Sequence, residues 1–188
     1  QFEEHTLLGK LRRVGAPPPP PALLLALRLV CTMARGASTP YIKLRKVGKG
    51  SFGQVWLVRD ARSGDELVMK EVVLKGLPPA ERTATTNEVK VLQRLQHGNI
   101  VRYHDSFVDG DMLCIVMEYA SGGDLAKQIA ERSKQRRKFT EAEVLKIMGE
   151  LCSAIAYCHH NLKLLHRDLK PANVFLSAAG DVKVGDFG

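Results

Sequence analysis

The spacing of apolar and polar residues changes its period along this chain. From Tyr41 onward, the segments YIKLRKVGKG and QVWLVRDA read as two strands around a glycine-rich turn, and GDELVMKEVVL reads as a third strand. The segments NIVRYHDSFV and DMLCIVMEYA predict a hairpin, because the short link DGD between them is typical of a tight turn. We therefore expect the first part of the chain to form an antiparallel sheet.

Helical periodicity interrupts these strands once and dominates the last third of the chain. The Pro-Pro pair at 78–79 predicts the start of a helix that runs to about Leu95. A longer helix is predicted behind the capping box formed by Thr140 and Glu143. Its apolar face is expected to consist of Val144, Ile147, Met148, Leu151, Ile155 and Cys158. A strand-rich part that gives way to a helical part near residues 119–123 predicts an α+β fold.

The first 40 residues differ in composition from the rest. A run of five prolines favours an extended, unpacked segment. The apolar stretch that follows, Ala22 to Met33, contains Arg28 and is shorter than the about 20 residues that a membrane span needs. A signal peptide, a cleavable organelle presequence and a true start at Met33 are the alternatives. We expect residues 1–40 to be a disordered or wrongly assigned extension.

Composition indicates a globular protein, with 45% apolar and 26% charged residues among 188. The net charge of +8 would suit a nucleic-acid or membrane-surface partner, but it suits equally a protein that handles phosphates. The four cysteines form neither a CxxC pair nor a zinc-binding spacing. They are therefore interpreted as reduced thiols of a cytosolic protein.

A glycine-rich motif, GKGSFGQV, occupies residues 48–55 and fits the pattern G-x-G-x-x-G-x-V. A strand follows the glycines here, whereas a dinucleotide-binding fold would have a helix at that point. Glycines at 48, 50 and 53 would allow backbone amides to approach phosphate oxygens closely. A plain glycine-rich hairpin is the alternative interpretation.

A lysine lies in a strand that reads as buried, and an acid lies on the apolar face of the next helix. Lys70 stands among Leu67, Met69 and Val72, and a buried ammonium group needs a partner. Glu88 shares a helix face with apolar residues, namely Val91, Leu92 and Leu95. Lys70 and Glu88 are therefore predicted to form an ion pair, unless Lys70 lies on an edge strand and reaches solvent.

The stretch LLHRDLKPANVF holds a polar cluster between two apolar segments. Asp168, Lys170 and Asn173 lie on a loop that includes Pro171, which argues against a helix interior. Asp186 follows a short predicted strand in VKVGDFG. The oxygens of Asp168, Asn173 and Asp186 suit a hard cation such as Mg²⁺, although each residue alone could belong to a capped turn.

Together these motifs occur in the order of the eukaryotic protein kinase signature set. From Tyr41 to its end the chain resembles a protein kinase, and NEVKVLQRLQHGNIVRYHDSFVDGDMLCIVMEYASGGDL and HRDLKPANVFL are most similar to the NIMA-related (Nek-type) serine/threonine kinases. The resemblance implies a two-lobed kinase-like fold, with an antiparallel-sheet N-lobe at 41–120 and the beginning of a helical C-lobe at 121–188. Val68 stands where alanine is usual, and Gly98 where proline is usual.

The resemblance implies transfer of the ATP γ-phosphoryl group to serine or threonine hydroxyls of proteins, with ATP and Mg²⁺ as cofactors. Met117 would be the bulky residue at the back of the adenine pocket, in front of a hinge at 118–120. The residues implied to contact the nucleotide are Val47, Gly48, Gly50, Ser51, Phe52, Gly53, Val55, Lys70, Glu118 and Ala120.

The same resemblance assigns the catalytic groups. Asp168 would accept the proton of the substrate hydroxyl, Lys170 would offset charge on the transferring phosphoryl group, and Glu88 would hold Lys70. Asn173 and Asp186 would bind Mg²⁺. Arg167 before the aspartate suggests control by phosphorylation of an activation loop, which lies beyond Gly188.

Other functions were weighed against this one. A truncated nucleotide-binding pseudokinase or scaffold, a small-molecule phosphotransferase and a nucleic-acid binder are the alternatives. We expect no nucleic-acid or membrane partner, and a cytoplasmic location with nuclear or cytoskeletal association as a variant. Residues 1–188 alone are expected to be inactive and poorly folded, because later helices would have to cover the apolar face of the long helix.

Overall fold

The computed structural model describes residues 39–50 and 53–187. The predicted N-terminal extension therefore lies outside the described residues, apart from positions 39 and 40, as do Ser51 and Phe52 of the glycine-rich motif. Within the described ranges, no helix combines the length and the apolar character needed to cross a membrane.

Five strands form one antiparallel sheet in the order β1-β2-β3-β5-β4. Their bounds are β1 Tyr41–Gly50, β2 Gly53–Asp60, β3 Glu66–Val73, β4 Tyr103–Asp109 and β5 Met112–Glu118. A second sheet pairs two short antiparallel strands, β6 Val174–Leu176 and β7 Val182–Val184. The α+β fold predicted from the two periodicities is confirmed.

The strand β4 begins at Tyr103, four residues later than the sequence pattern predicts. The residues before it pair with β7 instead: Val184 N–H donates to the carbonyl of Asn99 at 2.8 Å, and Val101 N–H donates to the carbonyl of Val184 at 2.9 Å. Ile100 thus forms an isolated parallel bridge with Val184, which connects the first lobe to the second and does not lengthen the hairpin.

Among the residues that the structure describes, three α-helices accompany the sheets: α1 Pro79–Arg94, α2 Leu125–Lys134 and α3 Glu141–Leu162. The helix α1 has Pro79 as its first residue, as predicted. The capping box at the start of α3 is also formed, since Thr140 accepts from the backbone N–H of Glu143 and Glu143 accepts from that of Thr140. Arg132 at the end of α2 binds both carboxylate oxygens of Glu143 and lowers its pKa to about 2.

The buried face of α3 differs from the predicted one. Ala154 and Cys158 are fully buried, and Ile147 and Leu151 pack partly against the core. Val144 and Met148, which the pattern placed on this face, are about half exposed, at 46% and 49%. Within residues 39–50 and 53–187, the core packs mainly against the side of the helix that carries Ala154 and Cys158, so the predicted stripe is only partly buried.

Apolar side chains pack on both faces of the large sheet. Strand β3 alternates between them, since Met69 belongs to a cluster with Tyr41, Phe107 and Val116, whereas Val72 packs with α1 and the second lobe. Lys70 has the same parity as Val72, and Glu71 has that of Met69. The side chain of Lys70 therefore lies on the face toward α1, and that of Glu71 lies on the opposite face.

Candidate active site

The loop that follows α3 carries three of the predicted site residues. The helix ends at Leu162, and Lys163 adopts a left-handed conformation with a φ of 53°. Beyond it, His166 is buried and Asp168 is exposed, and Pro171 opens a 3₁₀ turn that ends at the buried Asn173. The prediction that this proline lies outside a helix interior is confirmed.

Asp168 is the centre of a hydrogen-bonded cluster on this loop. Lys170 Nζ lies 2.7 Å from Asp168 Oδ2, and Asn173 Nδ2 donates to the same oxygen at 3.0 Å and to the Asp168 carbonyl at 2.8 Å. The hydrogen bond from Lys170, followed by that from Asn173, lowers the pKa of Asp168 below its ordinary value. The carboxylate is therefore ionised at neutral pH and available as a proton acceptor.

His166 joins this loop to the end of β7. Its Nε2 lies 2.9 Å from the carbonyl oxygen of Gly185, and its ring contacts that of Phe187 with centroids 4.5 Å apart. A carbonyl can only accept, so Nε2 carries the proton and donates. The N–H of Gly185 donates in turn to the carbonyl of Asn173 at 3.0 Å. Both backbone groups of Gly185 are thus bound to the loop, and Asp186 is placed next to Asn173.

Lys70 meets two carboxylates on the inner face of the sheet. Its Nζ lies 3.5 Å from Glu88 Oε1 and 3.6 Å from Asp186 Oδ1. The ion pair predicted between Lys70 and Glu88 is confirmed. Glu88 is only 35% exposed and lies beside the buried stripe of α1 that contains Leu92. The pair is thus partly buried and still reaches solvent, so its two groups are not fully desolvated.

Besides Lys163, two further non-glycine residues in these loops have left-handed backbones. Arg167 has a φ of 64° and Asp186 has a φ of 51°. Such conformations cost free energy for residues with a Cβ and persist where surrounding contacts impose them. Arg167 follows His166 and Asp186 follows Gly185. The hydrogen bond between His166 and Gly185 therefore constrains the backbone of both loops.

The glycine-rich motif forms the tip of the β1–β2 hairpin. Gly48 pairs with Val55, and Gly50 pairs with Gly53. A Cβ atom at Gly53 would overlap the carbonyl oxygen of Glu71 on β3, so only glycine fits at that position. The motif lies between two strands, as the sequence pattern predicts.

Known proteins share this combination of motifs. The family described as protein kinase domain matches residues 41–188. The chain belongs to the protein kinase family. Serine/threonine-protein kinase Nek2 of Homo sapiens is 43% identical over 154 residues, which cover 79% of this chain and 35% of that protein.

Further kinases of the same group are similar to the chain. The probable serine/threonine-protein kinase nek3 of Dictyostelium discoideum is 42% identical over 79% of this chain and 13% of its own length. Serine/threonine-protein kinase Nek1 of Mus musculus is 40% identical over 79% of this chain and 12% of its own length. The resemblance to Nek-type kinases and the kinase-like fold are thereby confirmed. The chain spans 12–35% of the length of these curated relatives.

The segment expected to be the kinase hinge follows β5. Its first residue, Glu118, donates its backbone N–H to the carbonyl of Arg102 at 2.8 Å and accepts from the backbone N–H of Arg102 through its side chain at 3.1 Å. The other carboxylate oxygen lies 2.7 Å from Lys183 Nζ on β7. Met117 and Val68 pair across β5 and β3, directly before this segment.

Two structural contacts of this kinase domain were not predicted from the sequence. The Glu118–Lys183 ion pair connects the hinge to the second lobe, and nothing in the local pattern distinguishes these charges from solvated ones. From the sequence, Gly122 was assigned only to the boundary between the strand-rich and helical parts, yet a Cβ there would lie 2.6 Å from the carbonyl oxygen of Ser177 and 2.8 Å from that of Leu176. The close approach of two backbones was the reason for a glycine, and it became visible only with the fold.

The oxygen atoms near Asp186 fit a hard cation. Because Asn173 Nδ2 points toward Asp168, its amide oxygen is left for another partner, and the Asp186 carboxylate is half exposed. No group of three or more His, Cys, Asp or Glu side chains suited to a metal occurs in residues 39–50 and 53–187. An ion such as Mg²⁺, which usually takes one or two carboxylates, would draw its other ligands from substrate phosphates and water.

Proposed function

We propose that this chain carries out ATP-dependent phosphoryl transfer to serine and threonine hydroxyls of protein substrates. The observation that supports this most directly is the Asp168 carboxylate bound by Lys170 and Asn173, in a loop that His166 joins to Gly185, the residue before Asp186. The curated relatives reported above are named as serine/threonine kinases, and they favour the same substrate class.

The nucleotide is proposed to bind between the two lobes. The glycine-rich motif at 48–53 would cover its phosphates, and Val47 and Val55, both half-buried, would contact the adenosine part. Lys70 would bind the α and β phosphates, because its two carboxylate partners hold the ammonium group on the inner face of the sheet. Backbone groups of residues 118–120 would bind the adenine.

Mg²⁺ is proposed to bind Asn173 and Asp186, where it would neutralise charge on the phosphate oxygens. The ammonium group of Lys70 would then contact both the Asp186 carboxylate and the phosphate oxygens, because these charged groups would lie close together. The oxygen donors support this ion over softer metals.

Transfer would follow from the positions of Asp168 and Lys170. The substrate hydroxyl oxygen forms a bond to the γ-phosphorus. At the same time the bond between the γ-phosphorus and the oxygen that joins it to the β-phosphate breaks, and ADP leaves with that oxygen. Asp168, which its lowered pKa keeps ionised at neutral pH, orients the hydroxyl and accepts its proton. Lys170 offsets the charge that spreads over the phosphoryl oxygens.

The test uses the full-length protein with γ-labelled ATP, Mg²⁺ and a generic protein substrate. We expect label on phosphoserine and phosphothreonine after acid hydrolysis, and none on phosphotyrosine. ATP binding by calorimetry without any transferred label would instead support a nucleotide-binding pseudokinase or scaffold. A cytoplasmic location is proposed alongside, and imaging of the tagged full-length protein would test it.

A further inference from the structure

Glu71 is a buried carboxylate for which the proposed reaction has no use. It is 7% exposed and lies on the face of β3 opposite Lys70. Lys43 Nζ on β1 lies 2.5 Å from Glu71 Oε1, and Trp56 Nε1 on β2 donates to Oε2 at 2.8 Å. The Lys43 ammonium group also lies over the Trp56 ring, 5.1 Å from its centroid. One carboxylate therefore connects three neighbouring strands.

The backbone of the same residue touches the glycine-rich motif. The carbonyl oxygen of Glu71 occupies the space that a side chain at Gly53 would need, and the Cα of Val72 would lie 3.4 Å from that Cβ. The motif thus contacts β3 at Glu71, the residue that follows Lys70. Since β1 and β2 carry the motif at their joined ends, any rotation of this hairpin relative to β3 would separate the glycines from Lys70.

We infer that Glu71 is a positioning residue, whose side chain fixes the glycine-rich hairpin relative to Lys70 so that both contact the same nucleotide. The inference rests on the proposed function, because it deepens the account of how ATP is bound. Both of its oxygens are hydrogen-bonded, and bonds to charged groups in a buried place are the strong ones.

Trp56 gives this arrangement a spectroscopic signature. It is the only tryptophan of the chain, and its indole N–H is bound to Glu71. Loss of the Glu71 carboxylate would remove that hydrogen bond and would free the nearby Lys43 charge. The Trp56 emission of Glu71→Ala is therefore expected to differ from that of wild type, whereas that of Glu66→Gln is expected to be unchanged.

The experiment compares three variants of the full-length protein. Glu71→Ala removes both hydrogen bonds, Glu71→Gln keeps an acceptor for Trp56 but loses the charge toward Lys43, and Glu66→Gln is the matched control. Glu66 lies on the same strand and pairs with Arg59 on β2, but that pair is about half exposed and lies at the far end from the glycines. For each variant the KM for ATP, the kcat and the Trp56 emission are measured, with circular dichroism to check folding. In full-length protein with other tryptophans, the Trp56 signal is taken as the difference from Trp56→Phe.

Glu71→Ala is expected to raise the KM for ATP about tenfold with a kcat within about twofold of wild type, since about 1.4 kcal/mol of lost positioning corresponds to a factor of ten. Glu71→Gln, which keeps the acceptor for Trp56 but loses the charge toward Lys43, should raise the KM by a smaller factor, about threefold, and Glu66→Gln should match wild type. If Glu71→Ala does not fold, the comparison of the two Gln variants decides, with a raised KM expected only at position 71.

Two results would overturn the inference. Equal KM values for the position 71 variants and the control, in a protein whose ATP binding is normal, would remove the positioning role and leave the proposed function intact. Absence of ATP binding by the wild-type protein in calorimetry would remove the proposed function and this inference together.

Discussion

Replacement of Gly122 by alanine tests how closely the segment that follows β5 packs against the end of β6. Gly122 N–H donates to the carbonyl of Leu176 at 2.8 Å, and Leu176 N–H donates to the carbonyl of Gly123 at 2.8 Å. A Cβ at position 122 would come within 2.6–2.8 Å of two backbone oxygens, of Ser177 and Leu176. Backbone atoms cannot rotate away as a side chain can, so the segment that contains Gly122 must move away from β6.

The cost can be worked out from these contacts. Overpacking of this kind costs about 1–3 kcal/mol, and loss of one backbone hydrogen bond adds about 1 kcal/mol. We therefore expect Gly122→Ala to lower the free energy of unfolding by about 2–4 kcal/mol, which corresponds to a fall in Tm of roughly 5–15 °C. Urea denaturation and calorimetry of the kinase-domain transition in the full-length protein would measure both.

A second glycine supplies the control. Gly149 lies inside α3, and a Cβ there would have no atom within 4 Å. Gly149→Ala should therefore raise the free energy of unfolding, by about 0.5–1 kcal/mol. If Gly122→Ala were as stable as wild type while Gly149→Ala behaved as expected, the close approach of Gly122 to the backbone of β6 would be refuted.

Three further predictions concern the site and the long helix. Lys70→Met and Glu88→Ala should each slow phosphoryl transfer about tenfold or more with unchanged circular dichroism, because each leaves a charge without its partner; wild-type rates for Glu88→Ala would contradict this. Lys170→Met should move the acidic limb of the pH–rate profile to higher pH, because the pKa of Asp168 rises once its main hydrogen-bond donor is lost, and an unmoved limb would show another cause. Thr140→Ala should lower the free energy of unfolding by about 1 kcal/mol in urea through loss of the capping box, unless the start of α3 is held elsewhere.

Local patterns were sufficient where one element decides the outcome. The segment LVMKEV predicted a strand that holds Lys70 among apolar residues, and the capping box at Thr140 predicted the start of α3. The Lys70–Glu88 pair could be predicted because an ammonium group among apolar neighbours needs a partner, and the next helix offers an acid on its apolar side.

Contacts between distant segments were beyond such reasoning. Residues 99–101 read as the start of β4, but hydrogen bonds to β7, more than 80 positions later, use that backbone instead. The contacts of Glu71 could not be predicted, since its partners Lys43 and Trp56 come next to it only through the register of three strands. The left-handed backbone at Asp186 depends in the same way on contacts that the fold supplies.

The measurement that tests the central claim most directly compares Asp168→Asn with wild type in the full-length protein. Asparagine has nearly the same shape but cannot accept the hydroxyl proton. The affinity for ATP with Mg²⁺, measured by calorimetry, should stay within about twofold of wild type, while label transferred to serine and threonine falls by about 10²–10⁴-fold. Unchanged transfer, or a loss of nucleotide affinity that accounts for the whole loss of transfer, would contradict the role proposed for Asp168.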